Sequence, residues 1–114
     1  MICRMWRGWT TLANAGNYDC YLQKELFPHL EHELAGHGYR GYHLLKLARN
    51  DEVEFVTMVW FETLHSVQSF AGKDYERPVI SEKARKLLSR YSDRCDHYEL
   101  GGFHWPRPSS SGEC

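Results

Sequence analysis

Neither sign of charge is in excess in this chain of 114 residues: 14 Lys and Arg stand against 15 Asp and Glu, a formal net charge of -1. Binding to nucleic acid by counterion release needs a clustered cationic excess, so that class of function is not expected. Long apolar runs are missing too. The longest, Phe55 to Phe61, is far short of the roughly 20 residues that cross a bilayer as a helix, so no membrane partner is expected. The opening MICRMWRGW carries charges inside its apolar stretch and has no small-residue cleavage site. It does not read as a signal peptide, and a cytoplasmic location is expected. Cysteine is sparse and scattered, at Cys3, Cys20, Cys95 and Cys114, without a CxxC pair. Free thiols follow, and Cys3 and Cys95, expected at opposite ends of neighbouring strands, are not a disulfide pair.

The usual catalytic signatures are also wanting. Neither GxSxG nor a P-loop occurs. Gly36, Gly38 and Gly41 spell GxGxxG, but a helical pattern precedes them and a strand pattern follows, the reverse of the dinucleotide context. They read as a helix stop and a strand start. His32, Glu33 and His37 give HExxxH, which misses the i, i+4 register that sets two zinc ligands on one helical face, so no metal is expected. The basic cluster Lys83, Arg85, Lys86 and Arg90 reads as a solvated face.

What is present is an ordinary globular composition, 42% hydrophobic and 25% charged, in a length that suits one domain. Ile2–Trp9 alternates as a first strand. From Leu12 the spacing of Ala15, Tyr18, Leu22, Leu26, Leu30 and Leu34 turns helical, with Thr10, Thr11 or Asn14 as cap, and Pro28 is expected to kink this run. Tyr39–Arg49 and Val53–Phe61 read as a hairpin. Thr63 caps a short helix with an apolar stripe at Leu64, Val67, Phe70 and Ala71. Ser81 caps another, expected to bury Ala84, Leu87, Leu88 and Tyr91, and Cys95–Leu100 closes as a fourth strand.

Strand, helix, strand, strand, helix, strand is the split βαβ order, so the expected fold is α+β and ferredoxin-like. It has a four-stranded antiparallel sheet with its helices on one face. In the third strand both Val53, Phe55, Thr57, Val59, Phe61 and the alternate set Val56, Met58, Trp60 are apolar enough to need cover. A second copy supplies the simplest cover, predicting a homodimer with sheets face to face. The domain is expected over residues 1–100, followed by a loosely packed Gly/Pro/Ser-rich tail over 101–114, in which Phe103 and Trp105 are the candidates for an alternative, anchored arrangement.

MICRMWRGWT at the start, VEFVTMVWFETLHSVQSFAGKDYERPVI in the middle and DHYEL near the end resemble the small antibiotic biosynthesis monooxygenase-like proteins of the dimeric α/β-barrel superfamily. The resemblance covers about residues 1–100 and includes the WF-x-[ST]-L run Trp60–Leu64. It implies a sheet-on-sheet dimer with a pocket between sheet and helices, and oxidation of aromatic polyketides, quinols or haem. Haem-degrading members carry a Trp on the helix after the third strand and a His one segment later; Phe70 and Ile80 stand at the matching positions. Polyketide-oxidising members carry a Tyr on that helix, where this chain has Ser66 or Val67. The resemblance therefore implies the fold and the pocket, with no particular substrate.

A cofactor-free oxygenase needs a substrate that can be deprotonated, a group to take the proton or hold the anion, and a dry pocket for dioxygen. His97, on the last strand, is the candidate catalytic base. Trp6 and Trp60, on adjacent strands, are candidates for an aromatic pocket, and Tyr75, in the loop Gly72–Pro78, for a ligand contact. Arg4 shares a face with Trp6, making it a candidate polar contact for the ligand and an expected partner of Glu99. The expected function is a cofactor-independent monooxygenase-like protein for a small aromatic or apolar molecule; the alternative is a non-catalytic dimer that binds a ligand or partner protein.

Overall fold

The structure, a computed structural model, describes residues 1–106. Strand β1 (Ile2–Thr11) leads into a long helical stretch made of α1 (Leu12–Tyr21), a π-helical turn over Leu22–Leu26, and α2 (Phe27–Leu34). A hairpin of β2 (Tyr39–Ala48) and β3 (Glu52–Phe61) follows, then α3 (Leu64–Ala71), α4 (Glu82–Leu87), β4 (Arg90–Tyr91) and β5 (Asp96–Glu99). Among the described residues the sheet runs β2-β3-β1-β4, with β5 also on β1, and every pairing is antiparallel. This is the expected α+β ferredoxin-like arrangement with its helices on one face.

Local chemistry accounts for the boundaries. Free N–H groups at helix starts need acceptors. Thr11 Oγ1 accepts from Asn14 N at 3.2 Å, Thr63 Oγ1 from Ser66 N at 3.1 Å, and Ser81 Oγ from Ala84 N at 3.1 Å. Pro28 has no N–H, and in a regular α-helix its ring collides with the carbonyl four residues back. The chain meets this by widening just before it, with Phe27 N–H donating to Leu22 O, so the expected kink takes the form of a π-turn. The glycines of the GxGxxG stretch act as helix stop and strand start. Gly38 has φ +91°, and a Cβ there would fall 2.1 Å from Ser66 Oγ.

One expectation is corrected at the far edge. A single fourth strand was expected, with Tyr91 on the helix before it; instead two short segments share that edge, and Tyr91 pairs with Gly8 in β4. The backbone turns extended at Leu88, whose side chain lies on β1 where Gly8 leaves room: a Cβ on Gly8 would meet Leu88 Cδ2 at 2.8 Å. The loop between Gly72 and Ser81 is tied to the segment leading into β5, with Cys95 N donating to Glu76 O at 2.7 Å.

Strand alternation separates two unlike faces. In β3 Val53, Phe55, Thr57, Val59 and Phe61 are buried beneath the helices, while Glu52, Glu54, Val56, Met58 and Trp60 are only half-buried. The covered face meets helical aromatics: Tyr18 stands edge-on to Phe55 at 4.9 Å between centroids, and Phe27 stacks on Tyr42 at 3.7 Å. On the other face Met5 lies beside Met58, and Leu45 beside Val56. Leu45, Leu47 and Tyr98 are each about half exposed there. Phe103 and Trp105 stack on each other, 74% and 80% exposed, and neither anchors on the domain. The expected tail beyond residue 106 lies outside the described residues.

Because Phe55 is 1% exposed and braces α1 against β3, Phe55→Ala is expected to destabilise the fold by about 3–5 kcal/mol. Urea denaturation followed by far-UV circular dichroism measures this, and a loss below about 1 kcal/mol would show that the helix-to-sheet contact is not the core.

Candidate functional site

Between the covered face of the sheet and the helices lies a cavity of about 500 Å³, within the range of small-molecule sites. Arg4 and Trp6 of β1 and Thr57 and Val59 of β3 form its floor. The helical stretch from Tyr18 to Leu34 forms one wall; Phe70, the segment Pro78–Ser81, Ala84 and Cys95 form the other. Most of this lining is apolar. Exposed His29 and Glu33 mark the mouth, and Tyr21 Oη and Ser81 Oγ bond to each other across the two walls at 2.7 Å.

Arg4 is the buried charged side chain of this mostly apolar lining, being only 6% exposed. Its Nη1 donates to the carbonyl of Tyr75 and, at 3.0 Å, to His97 Nε2; its Nη2 donates to the carbonyl of Arg77 at 3.1 Å. The guanidinium carbon sits 5.6 Å from the Phe70 ring centroid. Among the described residues no carboxylate reaches it to form a salt bridge. The expected Arg4–Glu99 pair is corrected by the strand register, which sets His97 opposite Arg4 and Glu99 opposite Ile2. Glu99 is exposed.

A guanidinium only donates, so His97 Nε2 holds its lone pair toward Arg4 and the ring proton sits on Nδ1. Burial, and then the Arg4 charge, push the His97 pKa below its ordinary value of 6.5, leaving the ring neutral at pH 7. Burial likewise lowers the Arg4 pKa and raises that of the Cys95 thiol, the latter opposed by the Arg4 charge.

The structure thus brings Arg4, His97 and Tyr75 together, with the Tyr75 ring edge-on to His97 at 5.0 Å. Arg4 and Trp6 line the cavity; His97 and Tyr75 stand behind Arg4 and do not. Trp6 is held by its indole N–H, which donates to Ser92 O at 2.7 Å. The pairing of Trp6 with Trp60 in one pocket is corrected. Strand parity puts Trp60 on the uncovered face, where its Nε1 donates to His43 Nδ1 at 2.8 Å. Phe70 and Ile80, the positions matched to the family's Trp and His, both line the cavity. Sequence reasoning missed Cys95 and the two backbone carbonyls on Arg4. A carbonyl acceptor leaves no mark in side-chain identity, and only the length of the Gly72–Ser81 loop hinted that it returns over the sheet.

Fold and cavity together define the class: a ferredoxin-like α+β domain with a ligand-sized space between its sheet and its helices. Among solved structures the chain is similar to the haem degrader MhuD of Mycobacterium tuberculosis, solved with two haems bound in its active site. The TM-score is 0.52 and the identity 17%, over 92% of this chain and 100% of that one. At that identity the likeness is one of fold, and it agrees with the ferredoxin-like α+β architecture. No family model matches the chain, and no curated protein matches it in sequence. No described helix is long and apolar enough to cross a membrane, and no group of three or more His, Cys, Asp or Glu among the described residues is placed to hold a metal ion.

A folded His97 that resists protonation sets the sign of one pH effect. Below about pH 6.5 the unfolded chain takes up this proton more readily than the folded one, so the His97 contribution to stability falls as pH drops from 6.5 toward its folded pKa. Histidine resonances followed by NMR are expected to show His97 titrating below 6.5, with a rise on Arg4→Met. A midpoint above 6.5 would contradict the Arg4–His97 geometry.

Proposed function

We propose that the cavity between sheet and helices binds a small aromatic or apolar molecule, and that the protein acts on it as a homodimeric, cofactor-independent monooxygenase in the cytoplasm. The observation that carries this reading is the cavity itself: ligand-sized, walled by aromatic and aliphatic side chains, with one buried cation in its floor. The likeness in fold to a haem degrader with its ligand in the active site supports it coarsely. The free thiols of Cys3, Cys20 and Cys95 suit a reducing compartment.

In this reading the chain binds a substrate with an acidified CH2 group and excludes water from it. Loss of a proton gives a carbanion that transfers an electron to dioxygen; the two radicals combine to a peroxide anion that takes the proton back, and the hydroperoxide loses water as C=O forms. The balance is CH2 plus O2 giving C=O plus H2O, with dioxygen as the only oxidant. His97 is the base of this proposal, and its neutral state suits the task. Its lone pair is directed at Arg4 and its ring lies outside the cavity lining, so Nε2 reaches a substrate only if Arg4 moves aside. That engagement favours the second reading, a non-catalytic ligand-binding dimer. The homodimer is supported by the uncovered face, where Leu45, Leu47, Tyr98, Met58 and Val56 form an apolar surface that a second sheet would bury.

Native mass spectrometry of the purified protein is expected to show a dimer retaining a small molecule, and a monomer at micromolar concentration would remove the face-to-face pairing. With anthrone as probe, oxygen uptake and anthraquinone absorbance are expected to rise above the protein-free rate and to fall on His97→Ala. Binding without conversion would support the non-catalytic reading, and conversion undiminished in His97→Ala would take His97 out of the mechanism.

A further inference from the structure

We propose that the molecule bound in the cavity is an acid, an aromatic or apolar body bearing one anionic oxygen (carboxylate, enolate or phenolate) that the Arg4 guanidinium holds at the floor. This rests on reading the cavity as the ligand site and names the ligand's class.

Arg4 is 6% exposed and is one of the side chains that line the cavity. Its three hydrogen-bond partners, two carbonyls and a neutral imidazole, carry no charge. A guanidinium has five N–H donors, and no protein acceptor takes the two left over among the described residues. Burying a cation without an anion is unfavourable, and a fold that does so leaves a standing demand for negative charge. In a space this apolar an anionic oxygen would meet that demand with little screening, through charge-assisted hydrogen bonds.

The remainder of the lining defines the rest of the ligand. Trp6, Leu22, Phe27, Leu30 and Val59 offer an apolar bed for a ring system, and Phe70 packs against the guanidinium. Glu33, at the mouth, is the one carboxylate among the lining residues. An acid is therefore drawn head-first toward Arg4, with its body between the walls. A neutral hydrocarbon would leave the Arg4 charge as it found it.

The experiment is isothermal titration of the full-length protein with anthracene-9-carboxylate and with its neutral isostere anthracene-9-carboxamide. The carboxylate is expected to bind about tenfold tighter or more. Arg4→Met is expected to bring the ratio close to one while the carboxamide keeps its affinity, and Arg4→Lys to retain part of the preference. Equal affinities in the unaltered protein, or a preference that survives Arg4→Met, would overturn the proposal and leave the cavity reading intact. Should Arg4→Met fail to fold, the ratio in the unaltered protein and its reduction in Arg4→Lys decide the matter. If neither probe binds, the cavity reading and this proposal both fall.

Discussion

A guanidinium buried in the floor of an apolar cavity must find partners there, and much of this molecule is arranged around that requirement. Two carbonyls of the loop between α3 and α4 reach Arg4 from above, and His97 reaches it from the neighbouring strand. Holding that loop over the sheet roofs one side of the cavity, and the hydrogen bond from Cys95 N to Glu76 O fixes it from the other end. A hydrogen bond to a charged donor contributes about 1.5–3 kcal/mol, so the loop is ordered by the same group that makes the cavity electropositive. Structure and binding chemistry meet in one side chain.

The ten-residue antiparallel ladder of β1 on β3 makes this possible. Side chains on a strand alternate strictly, so the ladder commits Arg4, Trp6, Thr57 and Val59 to one face and Met5, Val56, Met58 and Trp60 to the other. One face becomes a core with a hollow in it; the other remains a surface of half-exposed apolar side chains. A one-residue slip would exchange the two and send Arg4 to solvent.

The order of elements was legible in the sequence because it rests on local signals: the period of Tyr18, Leu22 and Leu30, the capping hydroxyls of Thr11, Thr63 and Ser81, the glycines after Leu34, and the two apolar sets of β3. That Arg4 and Trp6 share a face was legible for the same reason, both standing at alternate positions of one strand. The partner of Arg4 was not. Choosing His97 over Glu99 needs the register of β5 on β1, a long-range pairing that no local pattern in the sequence marks. Trp60 was misplaced for a different reason, since adjacency of strands was weighed without parity. The cavity itself had no local signature, because a hollow is made by where helices stop short of a sheet.

A crystal structure of the protein soaked with anthracene-9-carboxylate would show where the acid sits. The three rings are expected between Trp6 and the helical wall, with the carboxylate against the Arg4 guanidinium. Density for the probe on the uncovered face of the sheet, with the space above Trp6 filled by protein side chains, would contradict this placement.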